Sequence, residues 1–118
     1  MDVDSIDWDN ARLIAGGSSA VRDQIIDGVL ELFADQGELA PLFTIPAYPS
    51  DLRRLRELSH RAIGLAKQAA TPKLEGLCAR LHACLAERRF EEAGTIGAAL
   101  RAERDTVRRA VVARRGCS

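Results

Sequence analysis

At 118 residues the chain has room for one helical core and none for a second domain with chemistry of its own, so a single domain over 1–118 is expected. Seventeen Lys and Arg balance seventeen Asp and Glu, which excludes a broad basic field for nucleic acid and an acidic disordered tail. Hydrophobic residues reach 47% while aromatics stop at 4%, and Ala, Leu, Arg and Glu predominate, a helix-forming alphabet that leaves little prospect of sheet.

The first helix is predicted to open at Asp7-Trp8 and to stop at Gly16-Gly17, where glycine tolerates the left-handed conformation after a last turn. Ser18 or Ser19 then caps a second helix. Val21, Ile25, Val29, Leu32 and Phe33, with Ile26 and Leu30 beside them, follow the spacing of a buried stripe, and Gly37 closes it. From 38 to 49, Pro41, Pro46 and Pro49 forbid a continuous helix, while Leu42, Phe43, Ile45 and Tyr48 predict a loop folded back onto the core.

Ser50 is the expected cap of a third helix running to about Ala70, and Thr71-Pro72 of a fourth, with a capping hydroxyl followed by proline at the first helical position. Leu74, Leu77, Cys78, Leu81 and Leu85 form the buried stripe of the fourth. After the charged turn at Glu87-Arg88-Arg89, a fifth helix begins near Phe90. Glu91 and Glu92 occupy its first turn, where the helix dipole favours anions, and Ala93, Ile96, Leu100, Val107 and Val111 point inward. Short connections imply antiparallel neighbours. The expected fold is all-α, an antiparallel up-and-down four-helix bundle with a short additional N-terminal helix.

Apolar runs are short and the chain opens on Asp2 and Asp4, so neither a membrane span nor a signal peptide is expected, and cytoplasmic residence follows. The three cysteines, Cys78, Cys84 and Cys117, match neither a disulfide framework nor a metal knuckle and are read as reduced structural thiols. With only His60 and His82 as histidines, no metal site is expected. Arg101, Arg104, Arg108, Arg109, Arg114 and Arg115 share a helix with Glu91, Glu92, Glu103 and Asp105, which reads as a solvated charged face rather than a nucleic-acid surface.

One residue of the third helix stands apart. At about 100° per residue, Leu55, Leu58, Ala62, Leu65, Ala66 and Ala69 share one side, whereas His60 falls about 160° from Ala62 on the outer face. Arg53, Arg56, Gly64 and Lys67 accompany it. A neutral imidazole is a competent nucleophile near neutral pH, and cations beside it offset the roughly −2 charge of a phosphoryl group. Gly64, one turn on, clears room for another protein, or else serves close helix packing; mid-helix glycine costs about 1 kcal/mol relative to alanine and needs a reason. Without Gly64 the default explanation of an exposed histidine is solvation.

The stretch Leu58-Ser59-His60-Arg61-Ala62-Ile63-Gly64-Leu65-Ala66 resembles the signature of histidine-containing phosphotransfer domains, found in bacterial phosphorelays as free proteins and at the C-termini of hybrid sensor histidine kinases. That signature places a small residue before the phosphorylated histidine, then two variable positions, a lysine, a glycine and small residues. The similarity extends over 6–17, 24–33 and 74–85, nearly the whole chain.

The resemblance implies a phosphoryl carrier in two-component signal transduction: His60 accepts the group and exchanges it with the aspartate of a response-regulator receiver domain. A sensor histidine kinase is the other implied partner. The receiver brings the Mg²⁺, so no cofactor of its own is expected. The chain carries no P-loop or kinase-type glycine-rich loop, which implies a carrier without ATP-dependent kinase activity rather than an enzyme. It is expected to act as a monomer, with no membrane contact and no nucleic acid.

One departure matters: Ile63 stands where the family has lysine. Lys67, Arg56 and Arg61 are the cations available to compensate, Arg61 least because adjacent helical residues point about 100° apart, and Ile63 itself would enlarge an apolar docking patch. His82, on the fourth helix, is placed to hydrogen-bond the His60 imidazole or to be an ordinary boundary residue. The alternative is a helical adaptor that binds a receiver or kinase without being phosphorylated. A short Glu/Arg/Ala pattern over 86–105, similar to a helical hairpin of excision-repair nuclease subunits, is too common to carry a function.

Overall fold

Asp7 nucleates the first helix, its carboxylate accepting the Asn10 N–H at 3.1 Å, and α1 runs over Trp8–Ile14 in the computed structural model, which describes residues 5–116. Gly16 and Gly17 follow at φ 71° and 90°, the left-handed region that ends a helix cheaply only at glycine. Ser18 Oγ then accepts the Val21 N–H at 3.2 Å to start α2, Ser19–Leu32. The helix ends well before Gly37. Phe33 turns in, and the Leu39 N–H donates to the Leu32 carbonyl at 3.0 Å. Gly37 crosses so close that a Cβ on it would lie 2.5 Å from that carbonyl oxygen.

A 3₁₀ turn, Ala40–Phe43, carries the proline segment onto the core. Leu42, Phe43 and Ile45 are buried as expected, but Tyr48 is 93% exposed and takes no part. Three longer helices follow: α3, Leu52–Gln68; α4, Pro72–Ala86; and α5, Phe90–Gly116.

Two caps differ from expectation. Asp51, not Ser50, caps α3 by accepting the Arg54 N–H at 3.1 Å, since a carboxylate one residue nearer reaches the first-turn donors. Thr71 takes the N-cap position of α4 but makes no side-chain capping bond; its hydroxyl donates to the Ala66 carbonyl at 2.8 Å and closes the end of α3 instead.

Among the described residues all regular structure is helical. α3 and α4 form a tight hairpin through Ala69–Thr71, α4 packs along α5, and the 3₁₀ turn is wedged between α3 and α5. α1 lies on α2, and the guanidinium groups of Arg22 and Arg114 lie over the Trp8 ring, at 5.2 and 4.4 Å from its centroid. The core joins Phe33, Leu39, Leu42, Leu58, Leu74, Leu81, Leu85, Leu100 and Val107. Within the expected stripes Val21 is exposed, and Ile25, Leu32, Leu65 and Leu77 are only half-buried.

Arg104 breaks the expectation of a solvated arginine face on α5, being 2% exposed. Its guanidinium donates to the Phe33 carbonyl and to Asp35, both at 2.8 Å, pairs with Asp105, and lies 5.1 Å from the Phe43 ring centroid. Arg101 adds a bidentate pair to Asp35, with both bonds at 3.1 Å. These contacts hold the end of α2 to α5.

Cys78 and Cys84 are free and buried, and burial pushes the Cys78 thiol up to about 12, which keeps it protonated and unreactive. Cys117, Asp2 and Asp4 lie outside the described residues. No described helix is long and apolar enough to cross a membrane.

Candidate functional site

The amphipathic period of α3 decides where His60 stands. Leu55, Leu58, Ala62 and Ala66 face inward and are buried, and His60 is exposed on the opposite side. It opens onto a shallow groove of about 600 Å³ between α3 and the end of α4. Leu52, Arg53, Arg56 and Glu57 line it from α3, and His82 and Arg88 from the α4 side. Arg88 reaches it from the turn after α4, where it adopts φ 60°.

His82 is half-buried, and its ring centroid lies 5.7 Å from that of His60, with the planes inclined at 48°. Its hydrogen bond does not go to His60. Nδ1 lies 2.7 Å from Oγ of Ser59, a residue buried on the inner edge of α3. The Ser59 hydroxyl donates back to the Arg56 carbonyl at 3.0 Å. The hydroxyl can turn between that carbonyl and the imidazole, and the His82 tautomer decides which of the two it serves. Burial holds the His82 pKa below the ordinary 6.5, and electrostatic interaction with His60 and Arg56 pushes the same way, against a hydrogen bond with the Arg56 backbone.

The flanking charges divide into committed and open ones. Arg53 pairs with Glu57 at 3.4 Å. Arg61 turns towards the proline-containing segment, where Glu38 holds it, and does not line the groove. Its position next to His60 in sequence sends its side chain to a different face. Arg56 and Arg88 line the groove with no ion-pair partner among the described residues. Lys67 is exposed two turns beyond His60, outside the groove lining.

Gly64 settles one question left open by the sequence. A Cβ built on it meets nothing within 4 Å, so helix packing does not require the glycine. Ile63 is half-buried and packed against the core, which leaves only part of its side chain for any docking patch. Sequence reasoning missed Ser59, although its position about 60° from Ala62 on the helical wheel places it at the edge of the core arc. Its polarity masked its burial.

The described residues contain no group of three or more His, Cys, Asp or Glu arranged to hold a metal ion. Comparison with family models, with curated proteins and with solved structures finds no match for the chain. The site's own chemistry consists of an exposed imidazole, a second imidazole held beside it, two arginines without an ion-pair partner among the described residues, and open space over Gly64.

Proposed function

We propose that the chain is a phosphorelay carrier in which His60 accepts a phosphoryl group from the aspartyl phosphate of a response-regulator receiver domain and passes it on. The observation that carries this reading is the exposed His60 ring in an open groove, with empty space over Gly64 one turn away. In the forward step the lone pair of a His60 ring nitrogen forms the N–P bond as the P–O bond to the aspartate breaks, and the carboxylate leaves with that electron pair. The other ring nitrogen then releases its proton to solvent. Mg²⁺ and the groups that position the acyl phosphate belong to the receiver, and Arg56 and Arg88 offset the charge of the transferred group.

In this reading α2 to α5 act as an antiparallel up-and-down four-helix bundle with α1 as the additional N-terminal helix, a cytoplasmic module resembling histidine-containing phosphotransfer domains. The packing of Ile63, which supplies no cation, favours a second reading, a non-phosphorylated adaptor.

Incubation with a radiolabelled phosphoreceiver separates the two. Acid-labile, base-stable label on the wild-type chain, absent from His60→Gln, is the expected result. Receiver binding without any transfer of label would leave only the adaptor.

A further inference from the structure

The groove holds a second titratable ring, which gains a negatively charged neighbour when His60 is phosphorylated. Every charged group lining it comes from α3 or the end of α4: Arg53, Arg56, Glu57 and His60 from the former, His82 and Arg88 from the latter. Glu57 is occupied by Arg53. His82 therefore faces an excess of positive charge. Ser59 fixes the ring through Nδ1, whose distance to Oγ is 2.7 Å.

We infer that His82 is the switchable cation of this site, its ring taking up a second proton when His60 carries a phosphoryl group and pairing with that group. The inference rests on the reading of His60 as the phosphoryl acceptor. It supplies from α4 the charge that Ile63 does not supply from α3.

Distance and charge support it. The ring centroids stand 5.7 Å apart, so a dianion on His60 acts on His82 at ion-pairing range. At about 6 Å, even the full dielectric of water makes a dianion raise an imidazole pKa by about one, and partial burial makes the effect larger. The unmodified protein starts from the opposite side, with burial and the Arg56 guanidinium among the causes that lower the His82 pKa. Phosphorylation thus shifts His82 towards its charged form. The proton balance closes through solvent in the open groove: one proton leaves the second ring nitrogen of His60, and one arrives at the unprotonated ring nitrogen of His82.

A phosphohistidine supported in this way lives longer where His82 is charged, and loses that support as pH rises through the raised pKa. A lysine at the same place would give support without the pH step.

The test uses the full chain, loaded on His60 by a phosphoreceiver or a small phosphoramidate donor. Imidazole ¹H–¹⁵N spectra should show the His82 pKa rising by about one or more on loading. The phosphohistidine lifetime, taken as the ratio of wild type to His82→Gln, should be several-fold at about pH 6 and fall to unity by about pH 8.5. His82→Lys should keep a long lifetime throughout. An unchanged His82 titration in the loaded protein, or a lifetime ratio independent of pH, would overturn the inference and leave the carrier reading standing. Absence of label from His60 with both donors would overturn the two together.

Discussion

The inner face of α5 and the outer face of α3 each carry glycine and arginine, and the molecule uses them in opposite ways. On α5 a Cβ at Gly97 would lie 2.3 Å from the Leu42 carbonyl oxygen, so the glycine is where the 3₁₀ turn touches the helix. Arg104, two turns on, is buried and held by Phe33, Asp35 and Asp105. On α3 Gly64 adjoins open space, and Arg56 has no ion-pair partner among the described residues. The same residue types read as structure where every donor and every ångström is used, and as an interaction site where they are left over.

Arg104→Ala is the strongest way to break the first half of this contrast. Removing a buried cation leaves the Phe33 carbonyl without its donor and the Asp35–Asp105 pair without its centre. Urea denaturation should show a loss of about 3–5 kcal/mol. Arg104→Met should recover much of it by refilling the space. His60 should still accept label in the folded fraction, because no group near Arg104 lines the groove.

The two glycines give the next largest effect and the clearest opposition of sign. Gly97→Ala forces a methyl against backbone that cannot move far and should cost about 1–3 kcal/mol. Gly64→Ala meets nothing and should stabilise the protein by about 0.5–1 kcal/mol through helix propensity alone. Gly64→Gln should keep the helicity but block transfer from a receiver. Equal stability changes at the two positions would erase the distinction between the faces.

Much of this architecture was legible in the sequence because local chemistry dictated it. Gly16-Gly17, Ser18, Pro72 and Phe90 mark helix ends close to their observed places, and the apolar period of α3 set His60 outward. Two of the departures share one cause: a polar side chain hid a position on the buried arc. Ser59 and Arg104 both occupy core positions, Arg104 four residues after Leu100 and three before Val107, yet their side chains suggested solvent. Only long-range partners reveal why burial is tolerated. Asp35 and the Phe33 carbonyl satisfy Arg104, and His82 satisfies Ser59. The pairing of Arg61 with Glu38 is of the same kind, set by how the proline segment crosses α3.

Ile63→Lys sharpens the contrast from the α3 side. The side chain is half-buried against the core, so the substitution should cost about 1 kcal/mol while the aliphatic stem of lysine remains packed and its ammonium reaches water. On the carrier reading it should also lengthen the phosphohistidine lifetime and flatten the pH dependence ascribed to His82. A lifetime no longer than wild type would mean that Arg56, Arg88 or Lys67 already supplies the charge.

The smallest effect separates the two regions by acidity. Asp35 has a pKa lowered by its bonds to Arg101 and Arg104, so its contribution to stability is complete above the ordinary carboxylate value of 3.8 and is lost as pH falls through the lowered one. His82 has a pKa below 6.5 in the fold, chiefly through burial, so the unfolded chain takes up the proton first. Its contribution is complete above 6.5 and declines as pH falls towards the folded value. Thermal denaturation between about pH 7 and 5 should therefore report the groove alone, with a shallower slope in His82→Gln than in wild type. Below about pH 4 the α5 cluster should dominate, and Asp35→Asn should remove that dependence while leaving the His82 window intact. Equal slopes for wild type and His82→Gln in the upper window would mean that the His82 ring is as solvated in the fold as in the unfolded chain, and the groove would lose the neutral imidazole on which its switch depends.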